Sequence, residues 1–251
     1  MYKKIINKYS DHMGTCPLDN LRDGCITFVR NINALSLLID VPVRDVVVLA
    51  PLDFKMYDND FLSVFKRYKF EFVDNVDYVF TMIHNELNHG EMPKQNIIGE
   101  NCYIHPMAIV GVEGTHTCKA PDGKRIQLIH MGNVVLHDNV EILAFATIQR
   151  GVFNSTILMD GVKIDSHVNI GHNSIIGENS VLALGAIVGG SVRLGKNCMV
   201  GLGAILRNGI KICDDVIIGM GSNVVKNINE PGIYMGNPAK YFQPYERDWN
   251  F

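Results

Sequence analysis

The chain has 251 residues, 47% of them hydrophobic, which is enough to bury the core of one domain and a smaller second one. Its 23 basic and 26 acidic residues give a net charge of -3 without any concentration of lysine or arginine, so we expect no nucleic-acid partner. The start of the chain lacks the apolar run of a signal peptide and no later stretch reaches membrane-spanning length, so we expect a cytoplasmic protein without membrane insertion.

The first 92 residues mix short strands with a helix. Apolar runs predict strands at Ile26–Val29 and Asp45–Ala50, and a longer periodic segment predicts a helix over Val76–Asn88. This mixture indicates a small N-terminal α/β domain over residues 1–92. The six cysteines of the chain are scattered and form no Cys-x-x-Cys pair, which favours free thiols.

A period of six begins near residue 93. Ile98, Ile104 and Val110 are six apart, and after an interruption an apolar, almost always aliphatic, residue recurs every six positions from Val134 to Val224. This period fits neither a helix nor a simple strand, but it suits short strands joined by tight corners, three to a coil. The sequence therefore predicts a mainly β fold, a parallel β-helix of hexapeptide repeats over residues 93–240. Residues eighteen apart are then expected to stack at about 4.8 Å.

Two segments lie outside the repeat. Residues 111–127 contain Pro121-Asp122-Gly123, a turn signal, and no repeat register, which predicts an excursion loop from the β-helix. Residues 230–239 close the helix, and residues 241–251 form a short C-terminal tail. We expect the aromatic residues of this tail to pack on a neighbouring surface: Tyr241, Phe242, Tyr245, Trp249 and Phe251.

Several stretches carry a resemblance to a known family: Gly132–Val135, Asn139–Ile142, Ala146–Gly151, Gly161–Asp165, Asn169–Asn173 and Ile212–Asp214. They resemble the nucleotide-sugar acyltransferases of the hexapeptide-repeat superfamily, most closely the UDP-3-O-acylglucosamine N-acyltransferases. Residues 24–28 also resemble the uridine-binding domain of that family. The resemblance implies a left-handed β-helix and a homotrimer with active sites between neighbouring helices.

The resemblance also assigns roles to individual residues. The catalytic base of the family falls at His172, which would deprotonate the amino group of the sugar so that the amine attacks an acyl thioester. Gly190, eighteen residues further on, corresponds to the backbone N–H donor that stabilises the oxyanion. Asn169 and Asp165 are expected to bind the substrate, because they lie on the same approach to His172. Asp165 either fixes the tautomer of His172 or caps a turn.

The family stacks uracil between two aromatic residues and contacts the base through an asparagine. Phe28 and Asn31 match two of these positions, whereas the second aromatic falls at Ala34, so uridine, thymidine and another nucleotide all stay open. A second family histidine falls at Gly209, and the chain ends soon after Pro238, which favours a coenzyme A donor or a short acyl group. Acyl-coenzyme A and acyl carrier protein both remain candidate donors, and the chemistry needs no metal or permanently bound cofactor.

These observations predict an N-acyltransferase that moves an acyl group from a thioester to the amine of a nucleotide-linked sugar, in surface-polysaccharide or lipid A synthesis. Two other interpretations stay open. The γ-class carbonic anhydrases share this β-helix and bind zinc through three histidines across a subunit interface; His167 and His172 have the spacing of two of these ligands, but His130 is one residue out of register. A non-catalytic scaffold is the third interpretation, because repeat proteins often serve as binding surfaces.

Overall fold

The computed structural model describes residues 1–9, 14–39, 41–56 and 65–244. The chain divides into two compact units, residues 1–91 with 115–129 and residues 92–114 with 130–251. The first is a small α/β unit and the second is a β-helix. The sequence-based division differs at the excursion, because residues 115–129 group with the first unit and residues 111–114 with the β-helix.

A three-stranded parallel sheet forms the centre of the first unit. Its strands, in the order β1-β2-β3, are β1 (Ile26–Phe28), β2 (Val47–Pro51) and β3 (Lys69–Val73). The central strand is buried on both sides, which its unbroken apolar sequence permits. Around the sheet lie helices α1 (Tyr2–Lys8) and α2 (Val76–Leu87) and the 3₁₀ helices Ile32–Leu38 and Leu52–Met56. The predicted strands and the predicted helix are confirmed, with ends that differ by one or two residues.

The second unit is built from short strands that form three faces, each a sheet of mainly parallel strands, and the chain passes through the three faces in turn. The first face contains β4 (Ile97–Ile98), β9 (Val134–Leu136), β12 (Thr156–Leu158), β15 (Ile175–Ile176), β18 (Arg193–Leu194) and β21 (Lys211–Ile212). The second contains β5 (Tyr103–Ile104), β10 (Glu141–Ile142), β13 (Lys163–Ile164), β16 (Val181–Leu182), β19 (Met199–Val200), β22 (Val216–Ile218), β24 (Gly232–Met235) and the antiparallel β25 (Lys240–Gln243). The third contains β6 (Ile109–Val112), β11 (Thr147–Gln149), β14 (Asn169–Ile170), β17 (Ile187–Val188), β20 (Ile205–Leu206) and β23 (Asn223–Val224).

The eighteen-residue stacking is confirmed from β12 to β23, as where Ile157 pairs with Ile175 and Asn169 pairs with Ile187, whereas the last parallel pair, Val216 with Gly232, is sixteen residues apart. The preceding coil is 22 residues long, because Thr147 pairs with Asn169. The additional residues lie in the corner between β11 and β12. This expanded corner is next to His172 along the axis.

The apolar period of six from Val134 to Val224 is therefore not one structural register, and the expected eighteen-residue stacking is wrong for this coil. Each hexad has two inward positions, and the run moves from one to the other across the expanded corner. Val140 and Ala146 occupy the position of Val162 and Val168, whereas Leu158 pairs with Leu136. An insertion of four residues equals the distance between the two inward positions, so the apolar spacing continued across it.

Glycines at the corners allow the coils to approach one another closely. A Cβ atom on Gly171 would lie 2.5 Å from the main-chain nitrogen of Gly190 on the next coil. The left-handed backbone of the corners falls two residues later, at positions occupied mainly by asparagine or glycine, such as Asn173 with φ 60°. Gly171 is therefore required by contact between coils and not by its φ angle.

The excursion is a hairpin of β7 (Thr117–Lys119) and β8 (Arg125–Gln127), joined through the predicted Pro-Asp-Gly turn. The side chain of Asn85 on α2 donates to the Gln127 carbonyl at 2.7 Å and accepts from the Ile129 N–H at 3.1 Å. His84 on the same helix is 1% exposed and donates from Nε2 to the Ile129 carbonyl at 2.8 Å. These hydrogen bonds fix the returning strand of the hairpin to α2.

Two expectations outside the β-helix have different outcomes. Cys16 and Cys25 form a disulfide and are not free thiols, because hydrogen bonds between the Gly14–Cys16 segment and Ile26 bring them side by side. In the tail, Tyr241 lies edge-on to Tyr234 with ring centroids 5.6 Å apart; residues 245, 249 and 251 lie outside the described part of the chain. Within that part, no helix combines the length and the apolar character needed to cross a bilayer.

Candidate functional site

His172 lies at a corner of the β-helix, after β14 and before β15, where the third face turns into the first. Its main-chain N–H donates to Gln149 Oε1 on the preceding coil at 3.2 Å. Its carbonyl accepts from the Ser191 N–H on the following coil at 2.8 Å. The backbone of His172 is thus held from both neighbouring coils, and its side chain is half-buried.

The side chain of Asn173 fixes the tautomer of His172. Asn173 Oδ1 accepts from the Val152 N–H at 3.0 Å, which orients the amide with its oxygen toward that donor. The same oxygen lies 3.1 Å from His172 Nδ1. Because an oxygen acceptor requires a hydrogen on Nδ1, the neutral imidazole carries its lone pair on Nε2. This tautomer leaves Nε2 free to accept a proton, as a general base must.

Gly190 lies against the Nε2 end of the His172 ring. A Cβ atom at Gly190 would stand 2.7 Å from Nε2 and 2.9 Å from Cε1, so only glycine leaves room for the imidazole in this orientation. Its carbonyl accepts from the Gly209 N–H at 2.9 Å, which continues the stack of corners. The predicted proximity of Gly190 and His172 is therefore present, and the role of Gly190 as an oxyanion donor stays a prediction.

Two further residues, His130 and Gln149, contact His172. His130 is fully buried, and its ring lies edge-on to that of His172 with centroids 5.4 Å apart. Gln149 holds the His172 main chain through its side-chain oxygen. The coil spacing gave no signal for His130, because this residue follows the excursion directly and is not in the repeat register. Gln149 was part of a stretch that carried the family resemblance, but nothing in the sequence indicated its contact.

Asn169 and Asp165 occupy different positions relative to His172. Asn169 lies on the same strand, β14, and pairs with Thr147 and Ile187 on the neighbouring coils. Asp165 lies at another corner of the coil, where its carboxylate accepts from the Ser166 N–H at 2.6 Å and the Leu184 N–H at 3.1 Å. These contacts correspond to the capping alternative for Asp165.

The predicted nucleotide-binding residues lie in the first unit. Phe28 is on β1, with its ring 4.4 Å from that of Phe80 between centroids, and the guanidinium carbon of Arg30 lies 4.8 Å from its centre. Arg30 is itself fixed by an ion pair with Asp77 at 2.7 Å. Asn31 is exposed and caps the following 3₁₀ helix, where its Oδ1 accepts from the Ala34 N–H at 3.1 Å. Both residues therefore lie at the carboxyl end of β1.

The three histidines of the zinc interpretation do not share one corner. His167 lies between the second and third faces, with its ring stacked on Phe145 at 5.0 Å, whereas His130 lies beside His172. In the described ranges, no group of three His, Cys, Asp or Glu side chains is arranged to hold a metal ion. A zinc site within one chain would need at least three converging ligands.

The β-helix also carries buried thiols and an apolar groove. Burial raises the pKa of Cys198 to about 12, so this thiol stays protonated and is a poor nucleophile. A groove of about 370 Å³ lies over the second face, toward the C-terminal end of the β-helix, and its lining is almost wholly apolar. Its walls include Met199, Leu202 and Met220.

Several known proteins are similar to this chain. A family model described as the hexapeptide repeat of succinyl-transferase matches residues 191–226. The UDP-3-O-acylglucosamine N-acyltransferase of Coxiella burnetii is 43% identical over 155 residues, which are 62% of this chain and 44% of that protein. The protein of the same name from Methylococcus capsulatus is 31% identical over 148 residues, 59% of this chain and 42% of that protein. A UDP-N-acetylglucosamine acyltransferase structure from Arabidopsis has a TM-score of 0.53 at 24% identity, covering 62% of this chain and 52% of that chain.

These findings confirm the predicted fold class and the predicted similarity. The chain has the left-handed parallel β-helix of hexapeptide-repeat proteins, with a small N-terminal unit. It is similar in sequence to UDP-3-O-acylglucosamine N-acyltransferases. The chain spans less than half the length of these curated relatives.

Proposed function

We propose that this protein is an N-acyltransferase that moves an acyl group from a thioester to the amine of a nucleotide-linked amino sugar, with His172 as the general base. One observation carries the proposal: the His172 imidazole has its Nδ1 bound to Asn173 Oδ1 and its Nε2 end over Gly190. The similarity to proteins named UDP-3-O-acylglucosamine N-acyltransferases supports the choice of reaction.

In the proposed reaction, Nε2 of His172 takes a proton from the sugar amine as its nitrogen attacks the thioester carbonyl carbon. The carbonyl oxygen becomes an oxyanion, to which the Gly190 N–H donates. The carbon–sulfur bond then breaks, and the leaving thiolate takes the proton from the imidazolium. An amide and a free thiol result, and His172 returns to its starting tautomer because Asn173 retains the hydrogen on Nδ1.

The donor in this proposal is acyl-coenzyme A or an acyl carrier protein, and it enters and leaves as a substrate. No permanently bound cofactor or metal takes part in these steps. The donor thioester has to reach the His172–Gly190 corner. We place the reaction in the cytoplasm, in surface-polysaccharide or lipid A synthesis.

The nucleotide of the acceptor is proposed to bind the first unit at Phe28 and Asn31. The Phe28 ring offers an aromatic surface for a base, and the Arg30 guanidinium beside it adds a cation that attracts a nucleotide phosphate. Asn31 is exposed, and its side-chain NH₂ group can donate to a base carbonyl while its oxygen caps the helix.

We further propose a homotrimer. Exposed apolar side chains form a column at the corner between the second and third faces, at Leu184, Leu202 and Met220. They stack coil on coil, since the Gly203 N–H donates to Leu184 O and the Gly221 N–H to Leu202 O. A straight apolar edge of this kind is typical of a protein interface, and a closed threefold assembly would bury this edge in every subunit.

A substrate panel tests the function. Acetyl-coenzyme A, 3-hydroxyacyl-coenzyme A and the corresponding acyl carrier proteins are offered against UDP- and dTDP-linked amino sugars, with thiol release and product mass as readouts. We expect an amide-linked product that resists hydroxylamine, and no product when the sugar amine is already acetylated. Absence of transfer across the panel, or a hydroxylamine-labile ester product, would contradict the proposal.

A further inference from the structure

We infer that His130 is a positioning residue for His172, which holds the imidazole of the base over Gly190. This inference rests on the proposed function. His130 is fully buried, and its ring contacts that of His172 edge-on, with centroids 5.4 Å apart and planes inclined by 68°. A buried ring in this arrangement limits the rotation of the neighbouring imidazole about its own side-chain bonds.

The orientation of His130 is fixed from its other side. The Gly114 N–H donates to His130 Nδ1 at 3.2 Å, so this nitrogen is an acceptor and carries no hydrogen. Gly114 is the last residue of the β-helix before the excursion, and His130 is the first residue after it. The hydrogen bond therefore joins the two ends of the excursion directly beside the base.

Gln149 links the same place to the main chain of His172. A Cβ atom on Gly114 would lie 2.3 Å from Gln149 Oε1 and 3.3 Å from Cε1 of His130, so the Gly114 main chain fills the space between these two side chains. Gln149 Oε1 in turn accepts from the His172 N–H at 3.2 Å. Gly114 thus supports both the ring that packs against His172 and the amide that holds its backbone.

Four residues together hold the base in place. Asn173 holds Nδ1, Gly190 underlies Nε2, Gln149 holds the main chain and His130 covers the ring. The described contacts of His130, with Gly114 and His172, involve no substrate. Its role is therefore to maintain the geometry of His172 before the substrates arrive, which affects turnover more than substrate binding.

Three variants separate the ring from its hydrogen bond. His130→Ala removes both, His130→Phe keeps a ring and removes the acceptor, and His130→Asn keeps an acceptor near the Nδ1 position and removes the ring edge. The matched controls are His137→Phe and His137→Asn, because His137 lies partly exposed at another corner, beside Asp160. We expect kcat to fall roughly tenfold or more in His130→Ala with KM changed less than about threefold, partial rescue in His130→Phe and His130→Asn, and native kinetics in the controls.

The deciding measurement is the ¹⁵N NMR spectrum of the His172 imidazole in the protein without substrate. The native protein is expected to show the Nδ1–H tautomer, and the His130 variants a mixture of tautomers or broadened signals, while the His137 controls keep the native pattern. The inference is overturned if His172 keeps its native signals in all three His130 variants, or if their kcat equals that of the controls. Because the spectrum needs no turnover, a protein inactive on the whole substrate panel would refute the proposed function while the NMR result still tests the contact. If His130→Ala does not fold, the Phe and Asn variants test the same contact.

Discussion

Gly190→Ala should displace the catalytic base, and its effect on turnover can be measured separately from its effect on the stability of the fold. The alanine methyl would stand 2.7 Å from His172 Nε2, about 0.8 Å short of an ordinary contact of ~3.5 Å. The main chain tolerates alanine, because φ of Gly190 lies outside the left-handed region. The imidazole must therefore move by most of an ångström, and a displacement of about 1 Å at a reacting group costs on the order of 100-fold in rate.

We expect kcat of Gly190→Ala to fall about 100-fold with little change in KM, as measured by thiol release. The overpacking itself should cost about 1–3 kcal/mol of unfolding free energy in urea. This cost should vanish in the His172→Ala background, where the methyl has nothing to displace. Gly123→Asn is the control, because this hairpin turn has open space and a φ of +86°, which asparagine accepts. Native kcat in Gly190→Ala, or an unchanged stability cost in the His172→Ala background, would refute the reasoning.

Three other predictions concern the fold and the assembly. In Gly171→Ala the new methyl meets main-chain atoms 2.5 Å away, so we expect a loss of about 3 kcal/mol or more; a native melting temperature would exclude this contact between coils. Burial lowers the pKa of His84 from 6.5 to about 4, so its contribution is complete above pH 6.5 and should be lost, by up to about 3 kcal/mol, as the pH falls toward 4. Urea unfolding at several pH values checks this, and His84→Gln should flatten that part of the pH dependence; an unchanged slope would contradict it. Leu202→Glu should turn a trimer into monomers in light scattering, whereas a native protein that is already monomeric would exclude the proposed assembly.

Much of the β-helix could be predicted because its physical constraint repeats. Each hexad must bury an aliphatic side chain in the same narrow interior, as Ile164, Ile170 and Ile176 do. The expanded corner before Thr156 could not be predicted from the sequence, because its four additional residues preserved the apolar spacing while exchanging the two inward positions. The disulfide between Cys16 and Cys25 was also hidden, since pairing depends on the bridge between Thr15 and Ile26 and not on cysteine spacing.

The candidate site was predictable only where it follows the repeat. Gly190 could be placed beside His172 because one coil separates them. His130 and Gln149 could not be placed, because the excursion and the expanded corner interrupt the register on the other side of His172. Asp165 illustrates the opposite limit: its position in the coil was predictable, but its backbone hydrogen bonds depend on the details of the corner.

The central claim, that acyl transfer takes place at the His172 corner, is tested most directly by comparing His172→Asn with His167→Asn in the transfer assay. The two histidines lie five residues apart on the same coil but at different corners, so the pair separates the chemistry of one corner from a general effect on the β-helix. We predict that His172→Asn loses at least about 100-fold in kcat, as expected for removal of a general base, while His167→Asn keeps native turnover. Equal activities in the two variants would contradict the account.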